Sequence, residues 1–256
     1  TESNMDSVNI ARTKFIGNKY EEASFIHNAH SYFDFDKCIV DSNYIFQFLY
    51  SALSQTNIFN STFVGNNCNS LMLCQHSGGK FSIGNGVTLK NNTIVNNINK
   101  EYLYDGYYSK STIVNNTIVG NTNEMYLFGK LYQSENTLVI GNILFGNING
   151  RQQAYSGDER VIAIDIFDNN IMALDTSIVD GTVLSETNII SDFFFFFKVK
   201  KYTKQVFSKF KNHIDDVVSL FEGTYDATTG LFTPVLKNNG GFTPTVALKS
   251  DKLSDG

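Results

Sequence analysis

The chain contains no tryptophan, only three arginines and three cysteines, and two prolines that both lie within its last 25 residues. Three cysteines are too few for a disulfide framework of the kind that holds small secreted domains. No run of 18 apolar residues occurs, so the sequence predicts no transmembrane helix. The scarcity of arginine and a net charge of −5 argue against nucleic-acid binding through a basic patch.

The chain is rich instead in asparagine and in apolar residues. It has 256 residues, of which 42% are hydrophobic and 30 are asparagine. This apolar content is enough for a sizeable core and excludes global disorder. A length near 250 residues fits one all-β domain. The opening Thr-Glu-Ser-Asn-Met-Asp is not a signal peptide, and we expect the chain to be part of a longer protein.

A repeat of about 24 residues dominates the first 150 positions. Its unit is a short apolar strand, a polar pair, a second short apolar strand and a closing asparagine. The closing asparagines are Asn18, Asn43, Asn66, Asn97, Asn121 and Asn147, with steps of 25, 23, 31, 24 and 26 residues. Strands of three to five residues between Gly and Asn corners exclude helical repeats, which need a 3.6-residue period.

Equivalent positions of the repeat form uniform columns. Eight and three residues before each closing asparagine the residue is always apolar, as at Ile113 and Ile118. Five residues before it the residue is small or carries an amide, as at Asn92, Asn116 and Asn142. The pattern predicts an all-β, right-handed parallel β-helix in which equivalent residues stack. It disfavours a β-propeller, whose blades are longer, and a leucine-rich repeat, whose leucine spacing is absent.

Two segments resemble known families. The run TIVNNTIVGN, residues 112–121, and its copies resemble the right-handed β-helix repeats of pectin-lyase-like proteins. The ending FTPVLKNNGGFTPTVALKSDKLSDG, residues 232–256, resembles the end of polymorphic outer-membrane-protein-like and choice-of-anchor-type surface proteins, many from Bacteroidetes. These resemblances imply a β-helix fold and an extracellular, outer-membrane-associated location on the bacterial cell surface.

The region between the repeats and that ending changes character. Residues 161–192 continue the strand-like pattern, whereas apolar residues from Val199 to Phe221 fall three or four apart, which predicts an amphipathic helix. Six lysines cover its other faces, so it either packs on the solenoid as a cap or lies on a membrane. We divide the chain into β-helix turns (1–192), a linker with the helix (193–222) and a C-terminal strand and loop segment (223–256).

The best acidic cluster is Asp34, Asp36 and Asp41, and its closest pair is Asp34 and Asp36. Alternation in Phe33-Asp34-Phe35-Asp36 places both carboxylates on the outer face and both phenylalanines on the core face. The pair is a weak candidate for acid–base catalysis or for a calcium site. A solvated strand face explains it better, since outward positions of strands are normally polar. A polysaccharide lyase also needs a cation beside its base, and the three arginines lie far apart in sequence.

Histidine and cysteine offer no complete metal site. His27 and His30 form a His-x-x-His, and Cys74 and His76 form a Cys-x-His, but no second ligand pair accompanies either one. We therefore predict no metal ion bound by these residues. Cys68 and Cys74 are close enough in sequence for a small disulfide loop, or they are free thiols.

The strongest candidate binding surface is aromatic. Two sets of residues lie one repeat apart and should stack on adjacent turns: Tyr102, Tyr104 and Tyr108, and Tyr126, Phe128 and Tyr132. If Leu103 and Leu127 point inward, the aromatic residues form an exposed ladder suited to sugar rings or a protein partner. In the opposite arrangement the aromatic residues fill the core.

These observations favour a non-catalytic bacterial surface module for adhesion or for binding a glycan or a protein. A polysaccharide lyase or glycoside hydrolase acting on acidic polysaccharide is one alternative, and a structural stalk is another. The β-helix fold hosts all three, so the surface chemistry of its sheets must decide between them.

Overall fold

A computed structural model describes residues 6–77, 86–129, 138–149, 166–168, 171–173 and 218–249. The described part is all-β, and no element in it is an α-helix. The first eleven strands are β1 (Ser7–Ala11), β2 (Lys14–Ile16), β3 (Lys19–Ala29), β4 (Tyr32–Asp36), β5 (Ile39–Asp41), β6 (Tyr44–Ala52), β7 (Gln55–Phe59), β8 (Thr62–Val64), β9 (Asn67–Gln75), β10 (Val87–Lys90) and β11 (Thr93–Val95). The next eleven are β12 (Ile98–Asn99), β13 (Tyr102–Asp105), β14 (Ser111–Val114), β15 (Thr117–Val119), β16 (Thr122–Asn123), β17 (Tyr126–Gly129), β18 (Leu138–Ile140), β19 (Ile143–Phe145), β20 (Ile148–Asn149), β21 (Ile166–Asp168) and β22 (Ile171–Ala173). The C-terminal strands are β23 (Gly223–Asp226), β24 (Leu231–Pro234), β25 (Leu236–Lys237) and β26 (Thr245–Val246).

The strands form three parallel sheets that stack as a solenoid, and each turn of it is called a rung. The first sheet runs β1-β4-β7-β10-β14-β18-β21, and the second runs β2-β5-β8-β11-β15-β19-β22. The third sheet contains β3, β6, β9, β12, β13, β16, β17 and β20. The register follows the repeat, because Ile94 pairs with Ile118 and Ile118 with Leu144. The predicted parallel β-helix, with rungs about 24 residues apart, is confirmed.

A full rung turns at three corners, and each corner that the structure describes begins with a residue in the left-handed conformation. Its φ lies between 50° and 69° at all of these positions. The corner residues are Arg12, Lys37, Asn60, Asn91, Asn115 and Gly141 at corner 1, Gly17, Ser42, Gly65, Asn96, Gly120 and Gly146 at corner 2, and His30, Leu53, His76 and Tyr108 at corner 3. Asparagine and glycine reach this conformation at little cost, which explains why both are frequent at the first two corners.

The residue after each left-handed position forms a ladder along the solenoid. At corner 2 the closing asparagines donate Nδ2–H to the Oδ1 of the next asparagine at 2.8 to 2.9 Å. At corner 1, Asn92, Asn116 and Asn142 are buried, and their amides are bonded to one another and to backbone carbonyls, as predicted. Buried amides need such partners, since an unpaired one costs about 1–3 kcal/mol. The ladders therefore hold successive rungs in register.

A serine ladder at corner 3 was not predicted. The backbone N–H groups of Ser31, Ser54 and Ser77 each donate to the Oγ of the next serine at 3.2 to 3.3 Å, ending at Ser109. The first three serines lie 23 residues apart in sequence. Serine is frequent in many kinds of structure. Three serines at 23-residue intervals could therefore occur by chance, and the spacing alone did not predict a ladder.

The interior of the solenoid is filled by the predicted apolar columns. Phe35, Ile58, Leu89, Ile113 and Val139 are at most 1% exposed, and all belong to one continuous core. Phe33 and Phe35 point inward, as the alternation in β4 predicts. Phenylalanine rings on neighbouring rungs contact each other, with the centroids of Phe35 and Phe63 separated by 5.9 Å.

The C-terminal segment, residues 218–249, covers the outer face of the second sheet. Val95, Val119 and Phe145 point outward from that sheet, yet they are at most 1% exposed. They form a second apolar cluster with Phe221, Phe232 and Val246 of the segment. The hydroxyls of Thr62 and Thr243 bond across the same contact, to the carbonyl oxygens of Pro244 and Asn60. The segment thus buries apolar side chains that would otherwise face water.

The helix predicted between Val199 and Phe221 lies almost wholly outside the described residues. The division of the chain at residues 192 and 222 stays a prediction for the same reason. In the part of the chain that the structure describes, no helix has the length and apolar character needed to cross a membrane.

Two glycines at corner 2 allow a test of how tightly the C-terminal segment is held. Gly17 and Gly146 have φ of 64° and 60°, so alanine at either position is strained. A Cβ on Gly17 would meet nothing within 4 Å, whereas a Cβ on Gly146 would lie 2.3 Å from the Cβ of Phe232. We expect Gly17→Ala to lower the free energy of unfolding by about 1 kcal/mol. We expect Gly146→Ala to lower it by about 3–4 kcal/mol, because it adds overpacking.

Urea denaturation measures both values, and limited proteolysis reports whether residues 218–249 become accessible. Gly17→Ala is the control for backbone strain alone. Equal losses for the two variants, with no new cleavage in the segment, would show that Phe232 does not pack on Gly146.

Candidate functional site

The acidic pair lies on the outer face of the first sheet, where the sequence places it. Asp34 and Asp36 are half-buried, and each carboxylate accepts a hydrogen bond from an amide on the next rung. Asn57 Nδ2 donates to Asp34 Oδ1 at 2.7 Å, and Asn60 Nδ2 donates to Asp36 Oδ1 at 2.8 Å. Lys37 Nζ lies 3.5 Å from Asp36 Oδ2 in a largely exposed ion pair. These contacts continue the rung-to-rung stacking onto the outer surface.

The aromatic ladder of β13 and β17 is in the predicted register. Tyr102 pairs with Tyr126, and Tyr104 pairs with Phe128. Their expected exposure, however, is wrong where the side chains are described: Tyr102, Tyr104 and Phe128 are at most 2% exposed. These three residues therefore cannot form an open binding face in this structure.

A break in the in-and-out alternation explains the burial of Tyr104 and Phe128, whereas Tyr102 is buried without belonging to the main core. Leu103 and Tyr104 are consecutive, yet both belong to the apolar core, as do Phe48 and Leu49 on β6. Two successive inward side chains require the strand to bend, since a straight strand alternates between faces. The Tyr104 hydroxyl bonds to Ser111 Oγ at 2.7 Å, so its polar end is satisfied inside. Burial raises the pKa of Tyr104.

Three residues of the predicted aromatic ladder remain, Tyr108, Tyr126 and Tyr132. Tyr108 is half-buried at corner 3. The side chain of Tyr126 and the whole of Tyr132 lie outside the described part of the structure. Tyr108 is therefore the one member of the predicted ladder whose described side chain reaches the surface.

Two groups of aromatic side chains lie on the outer surface near corner 3, and we call them together the aromatic corner: the pair His27 and Tyr50, and the trio His76, Tyr107 and Tyr108. The His27 and Tyr50 ring centroids are 4.8 Å apart. The His76 ring stacks on Tyr108 at 4.9 Å with an interplanar angle of 7°, and the Tyr107 ring lies 4.3 Å from Tyr108. His27 and His76 are exposed, and the three tyrosines are half-buried.

Stacking of the rungs builds both ring-contact groups. Tyr50 pairs with His27 on one side and with Leu73 on the other, while the left-handed residues His30, Leu53, His76 and Tyr108 follow one another along corner 3. Tyr50 Oη donates to Gln75 Oε1 at 3.2 Å, which fixes the phenol and leaves an amide group at the surface. Sequence reasoning missed the group because it treated His27, His30 and His76 only as metal ligands. The 23-residue intervals from His30 to Leu53 and from Leu53 to His76 place these residues at equivalent positions of successive rungs. That spacing could have indicated that they follow one another along one corner.

The cysteines and histidines form no metal centre among the described residues. No group of three His, Cys, Asp or Glu side chains is placed to hold an ion there, calcium included. Cys38, Cys68 and Cys74 are free and buried, so the alternative of a Cys68–Cys74 disulfide is excluded in this structure. Burial raises the pKa of Cys68 to about 12 and raises that of Cys74 further, so both remain protonated thiols.

Fold and surface together define a parallel β-solenoid with an outward aromatic corner. Comparison with known proteins adds nothing to this: no protein-family model, no curated protein and no solved structure matches the chain.

Proposed function

We propose that the chain is a non-catalytic binding module that holds a glycan against the aromatic corner. The observation that carries the proposal is a pair of ring contacts on the outer surface, His27 with Tyr50 and His76 with Tyr107 and Tyr108. The hydrogen bond from Tyr50 to Gln75, the residue before His76, links the two. Exposed aromatic rings bind the apolar faces of sugar rings by stacking, and their polar ends bond the hydroxyls.

The chemistry around the rings fits a saccharide. The half-buried Gln75 side chain lies beside Tyr50 and offers hydrogen-bonding groups at the level of the rings. The supporting strands β3, β6 and β9 pair in one continuous sheet, so the rings are held without a folding step on binding. Pre-organisation of this kind lowers the entropy lost when a ligand binds.

The proposal includes a cellular location for the module. The resemblance of residues 232–256 to the ends of bacterial surface proteins supports an extracellular, outer-membrane-associated location and an adhesive role. The resemblance of the repeats to pectin-lyase-like proteins supports a right-handed solenoid that presents its ligand along an extended face. The first inference rests chiefly on the Asn-Gly-Gly-x-Thr-Pro-Thr motif that begins at Asn239, and the second rests on residues 112–121 and their copies.

A polysaccharide-cleaving enzyme remains the competing function, because Asp34 and Asp36 share one outer face with Lys37. Both carboxylates already accept hydrogen bonds from Asn57 and Asn60. An assay for unsaturated products from uronate polymers, with calcium present, distinguishes the two. Product that disappears in Asp34→Ala would favour the enzyme over the binding module.

Glycan binding should depend on the tyrosines of the aromatic corner. We expect the double variant Tyr50→Ala/Tyr107→Ala to bind its best glycan on an array at least tenfold more weakly, a loss of about 1.4 kcal/mol. Tyr32→Ala is the matched control, since Tyr32 is a 37% exposed tyrosine on the first sheet. Undiminished binding by the double variant, or an equal loss in Tyr32→Ala, would place the ligand elsewhere.

A further inference from the structure

Exposed aromatic residues continue along strand β6 beyond the aromatic corner. Tyr44 and Phe46 lie on the same strand as Tyr50, and their side chains are 41% and 44% exposed. At about 3.3 Å per residue, the three rings extend over roughly 20 Å of the strand. A surface of this length is longer than a disaccharide can cover.

Strand β9 places an amide beside each of the two additional rings. Tyr44 pairs with Asn67. The same register places Phe46 opposite Asn69. Both asparagine side chains are half-buried, and neither makes a hydrogen bond with the described residues. A side-chain amide has two N–H donors and a carbonyl acceptor, so each of them is able to bond the hydroxyl groups of a ligand.

The aromatic corner shows the same arrangement, because Tyr50 is bonded there to the amide of Gln75 on β9. A ring on β6 and an amide on β9 therefore recur three times along one pair of strands. A sugar ring has the matching chemistry, since its C–H face stacks on an aromatic ring and its hydroxyl groups bond an amide. An apolar partner would instead bury the amides without hydrogen bonds, which is costly. The arrangement favours a chain of sugars.

The charges on these strands indicate that the sugars are neutral. β6 and β9 contain no charged residue. Lys19 lies 5.4 Å from the centroid of the Tyr44 ring, and its ammonium group already pairs with Glu21 at 3.2 Å. The carboxylates of an acidic polysaccharide are bound most strongly by Arg and Lys side chains, and these two strands supply none.

We propose that the outer face of the third sheet binds a linear neutral polysaccharide, which runs along β6 from Tyr44 to the aromatic corner. Successive sugars stack on the three rings of β6, and their hydroxyl groups bond the three amides of β9. The inference rests on the proposed glycan-binding function and adds to it the class of ligand and the direction of the sugar chain. Recognition is of a stretch of polysaccharide rather than of a terminal sugar.

Titration calorimetry with the full chain tests the class of ligand. The probes are three neutral hexasaccharides, cellohexaose, mannohexaose and N-acetylated chitohexaose, together with their disaccharides and with hexagalacturonate. We expect at least one neutral hexasaccharide to bind saturably. Its affinity should be at least tenfold higher than that of its disaccharide, because only the longer chain reaches all three rings. It should also be at least tenfold higher than that of hexagalacturonate, whose carboxylates find no cation on β6 or β9.

Phe46→Ala tests the path of the sugar chain, because it removes the middle ring. It should weaken the binding of that hexasaccharide at least fivefold. Phe242→Ala is the matched control, since Phe242 is a 46% exposed phenylalanine in the C-terminal segment, and its loss should leave the affinity unchanged. Both side chains are exposed, and thermal melts confirm that the two variants fold.

The outcomes separate this inference from the proposed function. If Phe46→Ala binds the hexasaccharide normally while Tyr50→Ala/Tyr107→Ala does not, the glycan is confined to the aromatic corner, and only the inference fails. It also fails if the disaccharide or hexagalacturonate binds as tightly as the neutral hexasaccharide, or if Phe242→Ala loses as much affinity as Phe46→Ala. Binding of none of the probes overturns the inference, and the proposed function fails with it if the glycan array is blank as well.

Discussion

Replacing Ile118 by aspartate should prevent the chain from folding. Ile118 is 0% exposed, and its backbone pairs with Ile94 on one rung and Leu144 on the next, two other members of the buried core. The substitution removes a buried apolar side chain and places an unpaired charge in the core, at a combined cost of several kcal/mol. Domains of this size are typically stable by about 5–15 kcal/mol, so the loss removes most or all of the stability. Circular dichroism should show no cooperative melt.

Ile98→Asp is the matched control, because Ile98 is 51% exposed on the outer face of the third sheet. Its substitution should lower the free energy of unfolding by less than about 1 kcal/mol. A normal cooperative melt of Ile118→Asp would remove that residue from the core. A loss of folding in both variants would instead indicate that any charge on these strands is disruptive.

Replacing Asn97 by alanine should lower the free energy of unfolding by about 3–5 kcal/mol, since it breaks the closing-asparagine ladder in its middle. Asn97 Oδ1 accepts from N–H and Nδ2–H of Asn66, and its Nδ2 donates to Asn121 Oδ1 and to the carbonyl oxygen of Phe63. All three asparagines are 0% exposed. Alanine therefore leaves buried donors and acceptors on both neighbouring rungs without partners.

Chemical denaturation of Asn97→Ala is compared with that of Asn69→Ala. Asn69 lies on β9, is half-buried, and its side chain makes no hydrogen bond with the described residues. Its substitution should change the free energy of unfolding by less than about 0.5 kcal/mol. If the two asparagine variants were equally stable, the ladder would contribute specificity of register rather than stability.

Much of the solenoid could be predicted because residues at equivalent positions of successive repeats contact each other in the structure. Residues one period apart, such as Asn97 and Asn121 or Ile94 and Ile118, meet on adjacent rungs, so the columns seen in the sequence are the contacts seen in the structure. The same logic correctly placed Phe33 and Phe35 inside and Asp34 and Asp36 outside. It also predicted the pairing of Tyr104 with Phe128.

Burial of that pair could not be predicted in the same way. Periodicity states which residues stack, but the face to which they point depends on the path of the strand between corners. At Leu103 and Tyr104 the strand bends, both side chains enter the core, and the binding face expected there is absent. The aromatic corner lies near the next corner instead, where stacked rungs bring His27 against Tyr50 and His76 against Tyr108.

The sequence by itself determined the fold class, the register of the rungs and the columns of the core, because each of these follows from residues a single period apart. Only the tertiary structure decided which aromatic residues reach the surface and how the second sheet is covered. Val95 and Val119 alternate as outward residues should, yet Phe221 and Phe232 bury them from more than 100 positions away in the chain. No local pattern encodes a contact of that kind, since it depends on how two surfaces fit once both have formed.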